Sequence, residues 1–239
     1  MSLKGKNIII ISSIDWSHHW QQHHQLATSL VENGNRVLFL ENTGARGLRV
    51  KDFGRIVDRV RNWFKGMKVF WEVRENLVVF SPLFLPFQFS WLAWFVNRGL
   101  ILLPLWMWLR YSQFSSPIVI SFLPTPLAQR LIEELNPILT VYYCANNIAG
   151  VRGVSKEMHS WENWFFEKAD AVFVISKSIQ ERAERFGMQV YSFPAGVDLE
   201  KFVTSRNAGV PEDIADFSHP VIGYVGAISD VFNQKLVAC

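Results

Sequence analysis

The chain has 239 residues, of which 49% are hydrophobic, and its formal net charge is only +3. This length and apolar content allow one large buried core, so the composition excludes an intrinsically disordered protein. The charge is too small for a global nucleic-acid footprint, and two cysteines, Cys144 and Cys239, make neither a disulfide framework nor a zinc pattern. No signal-peptide hydrophobic region precedes the first apolar run, so we expect a cytoplasmic protein without a nucleic-acid partner.

The first organised stretch runs from Asn7 to Asn42. Its β-branched run Ile8–Ile11 predicts a strand that is buried on both faces. Apolar positions at helical spacing then predict a helix that starts near Trp20 and ends before Gly34, and Val37–Leu40 predicts a second strand. A strand, a helix and a strand of these lengths make a right-handed crossover unit, in which ligands lie beyond the carboxyl ends of the strands.

Between Thr43 and Lys68 the sequence is strongly basic, with eight Lys or Arg residues and two Asp. Apolar spacing predicts a helix from about Asp52 to Lys65 with one apolar face and one cationic face. Two interpretations stay open for the cationic face. It is either an ordinary solvated surface or a contact for anionic lipid headgroups or phosphate.

Short extended segments are predicted at Val69–Val73 and Leu77–Phe80, before the most apolar region of the chain, Trp91–Leu109. Asn97-Arg98-Gly99 and Pro104 interrupt that region, which favours a buried or interfacial helix pair over a membrane span. Core packing and monotopic membrane contact both fit its tryptophans. Together, Arg46–Lys68 and Trp91–Leu109 form a candidate surface for an anionic membrane, which would place the protein at its inner face.

From Ser116 onward strands and helices alternate regularly, and this predicts a doubly wound α/β domain with a parallel sheet. The predicted strands are 118–120, 138–142, 171–175 and 190–193, and the predicted helices are 126–135, 157–168 and 176–186. Thr125 followed by Pro126 is a typical helix start, and Gly187 a typical helix end.

The domain organisation follows from composition. Residues 1–202 form the predicted Rossmann-like domain, and the polar segment 203–219 is the predicted linker. Residues 220–239 open with the apolar run Val221–Ala227, which predicts the first strand of a second Rossmann-like domain.

Several of these segments resemble the GT-B glycosyltransferases, in particular the broad retaining group that includes teichuronic acid and exopolysaccharide enzymes. The segments that carry the resemblance are Trp20–Ala27, Val37–Gly44, Val172–Ser176, Pro194–Phe202 and Ile222–Gly226. The resemblance implies two facing domains, of which the first mainly holds the acceptor and the second the nucleotide sugar.

The resemblance therefore implies transfer of a hexose from a nucleotide sugar to a cell-surface polysaccharide or lipid-linked acceptor. It implies no cofactor, because the nucleotide sugar is a substrate, and it makes Gly226 and Ala227 candidates for the donor phosphates. Most of the donor half is missing from the sequence, so we expect an incomplete transferase with negligible turnover alone. The alternative is a noncatalytic Rossmann-like binding module or partner subunit.

The acceptor-binding candidates are polar residues that follow predicted strands. They are Asp15, His19, His24, Asn42, Asn146 and Asn147. Each has a structural alternative: Asp15 as a turn or helix cap, the asparagines as strand-capping turns, and the histidines as polar surface. No catalytic residue is assigned.

A metal site is not expected. His19 and His23 are four positions apart and would share a helical face, but the Glu of the zinc protease motif and a third ligand are both missing. The loop from Ser12 to Trp20 has no glycine, which argues against close wrapping of a pyrophosphate.

Overall fold

A computed structural model of the chain describes residues 3–41, 69–82, 91–147, 156–187, 189–197, 199–200, 203, 209–210, 212–217 and 223, without the side chains of 91–94 and 156–157. The predicted basic helix at 52–65 lies outside these residues. So does the predicted strand at 221–227, apart from Gly223.

The described strands and helices follow the chain in the predicted alternation. The strands are β1 (Asn7–Ile11), β2 (Arg36–Leu40), β3 (Phe70–Arg74), β4 (Leu77–Phe80), β5 (Ile118–Ser121), β6 (Leu139–Cys144), β7 (Ala171–Val174) and β8 (Val190–Ser192). The helices are α1 (Gln22–Glu32), α2 (Trp91–Tyr111), α3 (Pro126–Leu135), α4 (Lys156–Lys168), α5 (Lys177–Ala183) and α6 (Glu212–Ala215).

The described strands form one sheet in the order β3-β4-β2-β1-β5-β6-β7-β8. All neighbours are parallel except β3 and β4, which form an antiparallel pair at one edge. In the centre, Ile8 of β1 is in register with Val37 of β2 on one side and Ile118 of β5 on the other. The predicted doubly wound α/β fold is confirmed, and the predicted parallel sheet has in addition one antiparallel pair at its edge.

Central strands are buried on both faces, as their unbroken apolar runs predict. Ile9 and Ile11 belong to the core that α2, α3, α4 and α5 cover. Ile8 and Ile10 point to the opposite face, where they pack with Ala27 of α1 and Phe39 of β2. Successive side chains of a strand alternate between faces, so one four-residue run supplies both cores.

Helix ends follow local chemistry. The Thr125 hydroxyl accepts the Ala128 N–H at 3.2 Å and caps α3, whose first residue is the predicted Pro126. After α1 the chain turns at Gly34, whose φ of +79° is a left-handed conformation that glycine adopts without steric cost.

The predicted helix pair at Trp91–Leu109 is wrong, because α2 is one continuous helix from Trp91 to Tyr111. Pro104 lies inside it, although proline lacks the N–H of a helical hydrogen bond. Ile101 and Leu105, on either side of Pro104, are both buried in the core. We attribute the continuity of α2 to this tertiary packing, which outweighs the local preference of proline.

The chain divides into two compact units, Met1–Gly196 and Val197–Cys239. The sheet lies in the first unit. In the second, the described part of the predicted linker contains the short helix α6, whose residues are exposed. The predicted boundary at residue 202 stays a prediction.

Across the described residues, no helix combines the length and the apolar character needed to cross a bilayer.

Candidate functional site

The candidate site lies where the strand order reverses. From β1 the chain passes through α1 to β2 on one side, whereas β5 pairs with the other side of β1. Such a reversal opens a crevice at the carboxyl ends of the strands. Here the Phe122 N–H donates to the Ile11 carbonyl and the Ser12 N–H to the Leu40 carbonyl, both at 2.9 Å. The segments that follow β1 and β5 therefore begin side by side.

The glycine-free loop after β1 is held in place by side chains. Glu41, buried after β2, accepts the Trp16 N–H at 2.8 Å. The Trp16 indole packs edge-on against Phe39, with ring centroids 4.9 Å apart. The Ser12 hydroxyl donates to the Ile14 carbonyl at 2.9 Å and accepts the Ile14 N–H at 3.1 Å. These contacts define the wall of the crevice before α1 begins.

His24 is fully buried and both of its ring nitrogens are occupied. Nδ1 accepts the Gln21 N–H at 3.0 Å, and Nε2 lies 3.1 Å from the Trp16 carbonyl, to which it donates. The ring also stacks on Trp20, with centroids 5.1 Å apart. Burial lowers the pKa of His24 from its ordinary value, which fits a neutral imidazole with its proton on Nε2.

His23 is equally enclosed but only half satisfied. Its Nε2 lies 2.9 Å from the Ser13 hydroxyl, whereas its buried Nδ1 has no hydrogen-bond partner within the described structure. The ring packs on Phe122 with centroids 3.9 Å apart, and the side chain is 4% exposed. Burial, with a smaller contribution from the neighbouring His24, lowers the pKa of His23 to about 4. The imidazole is therefore neutral at neutral pH.

Gln22 and Tyr143 connect the first turn of α1 to β6. The Gln22 amide donates to the Tyr143 hydroxyl, which donates to the Phe193 carbonyl at 2.6 Å. Burial raises the pKa of Tyr143 to about 12, and the Gln22 hydrogen bond opposes part of that shift. The phenol therefore stays protonated near neutral pH and acts as a fixed hydroxyl.

Aromatic rings continue this edge toward β8. Tyr143 stacks on Phe122 at 4.7 Å, and Phe173 stacks on Phe193 at 5.3 Å between centroids. Phe193 and Tyr191 are each 48% exposed. The arrangement joins buried polar groups at β1 and β6 to exposed ring faces at β8, a combination suited to a ligand with hydroxyl groups and an apolar face.

The structure brings together only two of the predicted acceptor residues. Asp15 is half-buried in the loop and precedes Trp16, whose carbonyl accepts the hydrogen bond of the His24 ring. His19 is exposed in the same loop, and Asn146 and Asn147 are exposed after β6. His24 has structural contacts at both ring nitrogens. The acceptor roles of all five residues stay predictions.

The other predicted contacts, Asn42, Gly226 and Ala227, lie outside the described residues. The expectation that His19 and His23 share a helical face is wrong, because α1 begins at Gln22 and His19 precedes it. Nowhere in the described ranges do three His, Cys, Asp or Glu side chains come together as ligands for a metal ion.

A second polar cluster is buried between β6, α4 and α5. Glu162 is fully buried and accepts Arg182 at 2.6 Å and the Tyr142 hydroxyl at 3.2 Å. The Cys144 thiol lies 3.5 Å from the same carboxylate. Burial and the Glu162 charge raise the pKa of Cys144 to about 12, and burial raises that of Tyr142 well above its ordinary range. The thiol is therefore protonated and unreactive near neutral pH.

Sequence reasoning did not select His23, Gln22 or Tyr143 as site residues. Gln22 and Tyr143 are 121 positions apart, and only the strand order makes them neighbours. A signal existed for His23, because it follows a strand-ending serine pair and lies at the start of an amphipathic helix. That position did not reveal which of the adjacent histidines has a free nitrogen.

The chain has a distant structural likeness to a solved protein structure. No protein-family model matches the chain, and neither does any curated protein sequence. Among solved structures, a sucrose-phosphate synthase from Thermosynechococcus elongatus is similar at 13% identity with a TM-score of 0.48. The match covers 83% of this chain and 94% of that one.

Proposed function

We propose that residues 1–202 form the acceptor-binding half of a GT-B sugar transferase. The donor would be a nucleotide sugar held by a second domain, whose first strand is predicted near residue 220. The acceptor would be a hydroxyl group of a polysaccharide or of a lipid-linked glycan. The further predicted partner, a membrane surface, would contact a different part of the molecule, the exposed face of α2.

The observation that carries the proposal is the unsatisfied Nδ1 of His23 at the strand-order reversal. A buried polar atom without a partner costs about 1–3 kcal/mol, which a ligand hydroxyl group at that nitrogen would offset. If Nε2 accepts the Ser13 proton, Nδ1 is a donor; in the other tautomer it is an acceptor. Both tautomers suit a hydroxyl, which can donate and accept.

The electrostatics of the loop favour a neutral ligand over a diphosphate. Between Ser12 and Gln25 there is no Lys or Arg, and His23 and His24 are neutral near pH 7 because burial lowers their pKa values. Diphosphates are usually bound by glycine-rich backbone or by cationic side chains. This supports the acceptor assignment for the crevice and leaves Gly226 and Ala227 as the proposed donor-phosphate contacts.

Several further contacts belong to the proposal. Asp15, half-buried beside His24, would orient an acceptor hydroxyl. His19, Asn42, Asn146 and Asn147 would bind other hydroxyls of the glycan. The exposed ring of Phe193 offers a face on which a sugar can stack.

Two variants of His23 test the proposal. His23→Gln keeps a polar atom near the Nε2 position, facing Ser13, and removes the one at Nδ1, whereas His23→Asn does the reverse. We expect saturation-transfer NMR with a panel of neutral oligosaccharides to show binding to the unmodified chain. His23→Gln should weaken that binding at least about tenfold, the effect of one lost hydrogen bond at a buried site, and His23→Asn should retain most of it.

The matched control is His159→Ala, on α4 in the opposite layer of the sheet, which should bind like the unmodified chain. Unchanged binding by His23→Gln would contradict the site, and binding of nucleotide diphosphates without oligosaccharides would contradict the acceptor assignment. Robust transfer or hydrolysis of a nucleotide sugar by residues 1–239 alone would show that the donor machinery does not lie elsewhere.

A further inference from the structure

One face of α2 is both apolar and exposed. The exposed large side chains are Phe95, Val96, Leu100, Leu103, Trp106, Met107 and Tyr111. At about 3.6 residues per turn they occupy roughly half of the helix circumference. Among the described positions 95–111, the same half of the helix also contains Gly99, which has no side chain, and Arg110. We call this set the α2 outer face.

The opposite side of α2 explains why the whole helix is apolar. Ile101, Leu102, Leu105 and Leu109 are buried in the core of the sheet. That core accounts for the inner apolar residues and leaves the outer ones unexplained, since Leu103, Met107 and Tyr111 are 64%, 66% and 91% exposed. A contiguous exposed surface made of several large apolar side chains generally marks an interaction site.

The charges next to this face are positive. Arg110 is exposed, and α2 contains no Asp or Glu. The acid that lies nearest in the described contacts, Glu134 of α3, is already paired with Arg98 at 2.8 Å and Arg130 at 2.9 Å. The outer face thus presents apolar side chains and a positive charge without a competing carboxylate of its own.

The described residues that directly follow the most basic stretch of the sequence pack against α2. The Phe70 ring, at the start of β3, stacks on Trp108 of α2 with centroids 5.3 Å apart and nearly parallel planes. Lys68 precedes Phe70 by two positions, and the sequence from Thr43 to Lys68 has eight basic residues against two acidic ones. The sequence that leads into this contact with α2 is therefore the most basic part of the chain.

We propose that the α2 outer face docks on an anionic lipid bilayer, with its apolar side chains at the acyl boundary and Arg110 among the headgroups. A flat lipid surface needs no shape complementarity to a single convex helix, and Trp and Tyr suit the boundary between headgroups and acyl chains. A second copy of the chain is disfavoured, because two such faces would bring together positive charges without an acidic partner on either helix. This inference does not depend on the proposed sugar transfer.

Vesicle flotation with the full chain tests the inference. We expect binding to phosphatidylcholine vesicles that contain about 30% phosphatidylglycerol, and weaker binding at about 1 M salt. The double variant Leu103→Glu/Met107→Glu should lower the partition coefficient at least about tenfold, because it places two charges at the acyl boundary. Arg110→Gln should lower it about fivefold on anionic vesicles and leave weak binding to neutral vesicles unchanged.

The matched control is Ile138→Glu, which changes an apolar side chain that is 58% exposed on the same unit but lies outside α2. It should bind vesicles like the unmodified chain, and circular dichroism should show that all variants are folded. Equal flotation of the double variant and the unmodified chain would overturn the inference. Failure of the unmodified chain to float with the vesicles would also overturn it. A dimer detected by light scattering and dissociated by Leu103→Glu would overturn it as well, because the α2 outer face would then bind a second copy of the chain.

Discussion

At the scale of single residues, two adjacent histidines differ in what they have left to bind. His24 uses both ring nitrogens within the loop that precedes α1, so its role in the fold is to fix Trp16 and Gln21. His23 forms a hydrogen bond with Ser13 through Nε2, and its Nδ1 has no partner among the described residues. His23 is thus the histidine with a ring nitrogen that no described residue satisfies.

The neutral state of His23 makes the stability of the fold depend on pH. Its folded pKa of about 4 lies below the ordinary value of 6.5, so between these values the unfolded chain binds a proton that the folded chain does not. Stability is therefore fully present above pH 6.5 and declines as the pH falls toward 4. Between pH 7.5 and 5.0 we expect His23 to account for a loss of about 2 kcal/mol.

Urea unfolding of the unmodified chain and of His23→Gln at both pH values measures this loss. The variant should lose about 2 kcal/mol less than the unmodified chain over the interval, and His159→Gln serves as the control for removing an imidazole elsewhere. Equal losses in the unmodified chain and His23→Gln would show that His23 is not the group responsible.

At the scale of elements, a buried carboxylate connects three of them. Glu162 of α4 accepts hydrogen bonds from Tyr142 of β6 and Arg182 of α5. Arg182 also lies over the Phe166 ring, with its guanidinium carbon 5.1 Å from the centroid. The cluster sets how α4 and α5 pack on the sheet, next to the strand that carries Tyr143.

Removing the carboxylate should destabilise the fold strongly. Glu162→Ala leaves the largely buried Arg182 without its partner, and we expect a loss of about 3–5 kcal/mol in the free energy of unfolding. Replacing both members, as Glu162→Leu/Arg182→Met, should recover much of that loss, because no charge remains buried. Urea unfolding at neutral pH measures both values.

The exposed pair of Arg130 and Glu133 on α3 is the matched control, because both side chains are more than a third exposed. Glu133→Ala should change stability by less than about 1 kcal/mol. A loss at Glu162 as small as that at Glu133 would mean that water reaches the buried cluster.

The helix α2 has apolar side chains both on its buried side and on its exposed side. Its inner side completes the core and its outer side is equally apolar, so the helix as a whole has no polar face. The local sequence predicts that Pro104 interrupts the helix. The helix is nevertheless continuous, with Ile101 and Leu105 buried on either side of Pro104. The same helix therefore completes the core on one side and presents exposed apolar side chains on the other.

At the scale of the whole molecule, the described residues of the two compact units differ in the burial of their apolar side chains. Unit 1 contains the sheet and both of its cores. In the second unit, every large apolar side chain described between 197 and 217 is exposed. They are Val197, Leu199, Val203, Val210, Ile214 and Phe217. Because the described apolar side chains are exposed, we expect local opening around Leu199 and Phe217 to cost little free energy.

Limited proteolysis should therefore cut this segment before the central strands. With chymotrypsin we expect early cleavage after Leu199 and Phe217, and mass spectrometry of the products locates the cuts. Leu199→Asp should abolish the first cut and leave the second. Intact bonds at both positions after cleavage within β1, β5 or β6 would contradict the prediction.

The sequence by itself determines most of the elements, because their signals are local. Thr125 and Pro126 mark the start of α3 and Gly187 the end of the turn after α5, since capping and left-handed backbone depend on a few adjacent residues. The isoleucine run of β1 predicts a strand buried on both faces, and the structure confirms it. Alternation of such strands with helices is enough to predict the doubly wound fold.

Only the tertiary structure decides the contents of the site. The pairing of Gln22 with Tyr143 and the packing of His23 on Phe122 require β1, β5 and β6 to be neighbours, and strand order is a property of the assembled sheet. Hydrogen-bond partners then distinguish two buried histidines that the sequence presents as equivalent, and tertiary packing leaves the outer half of α2 exposed. The physical reason is that periodicity and capping act over a few residues, whereas burial and partner choice depend on residues more than a hundred positions away.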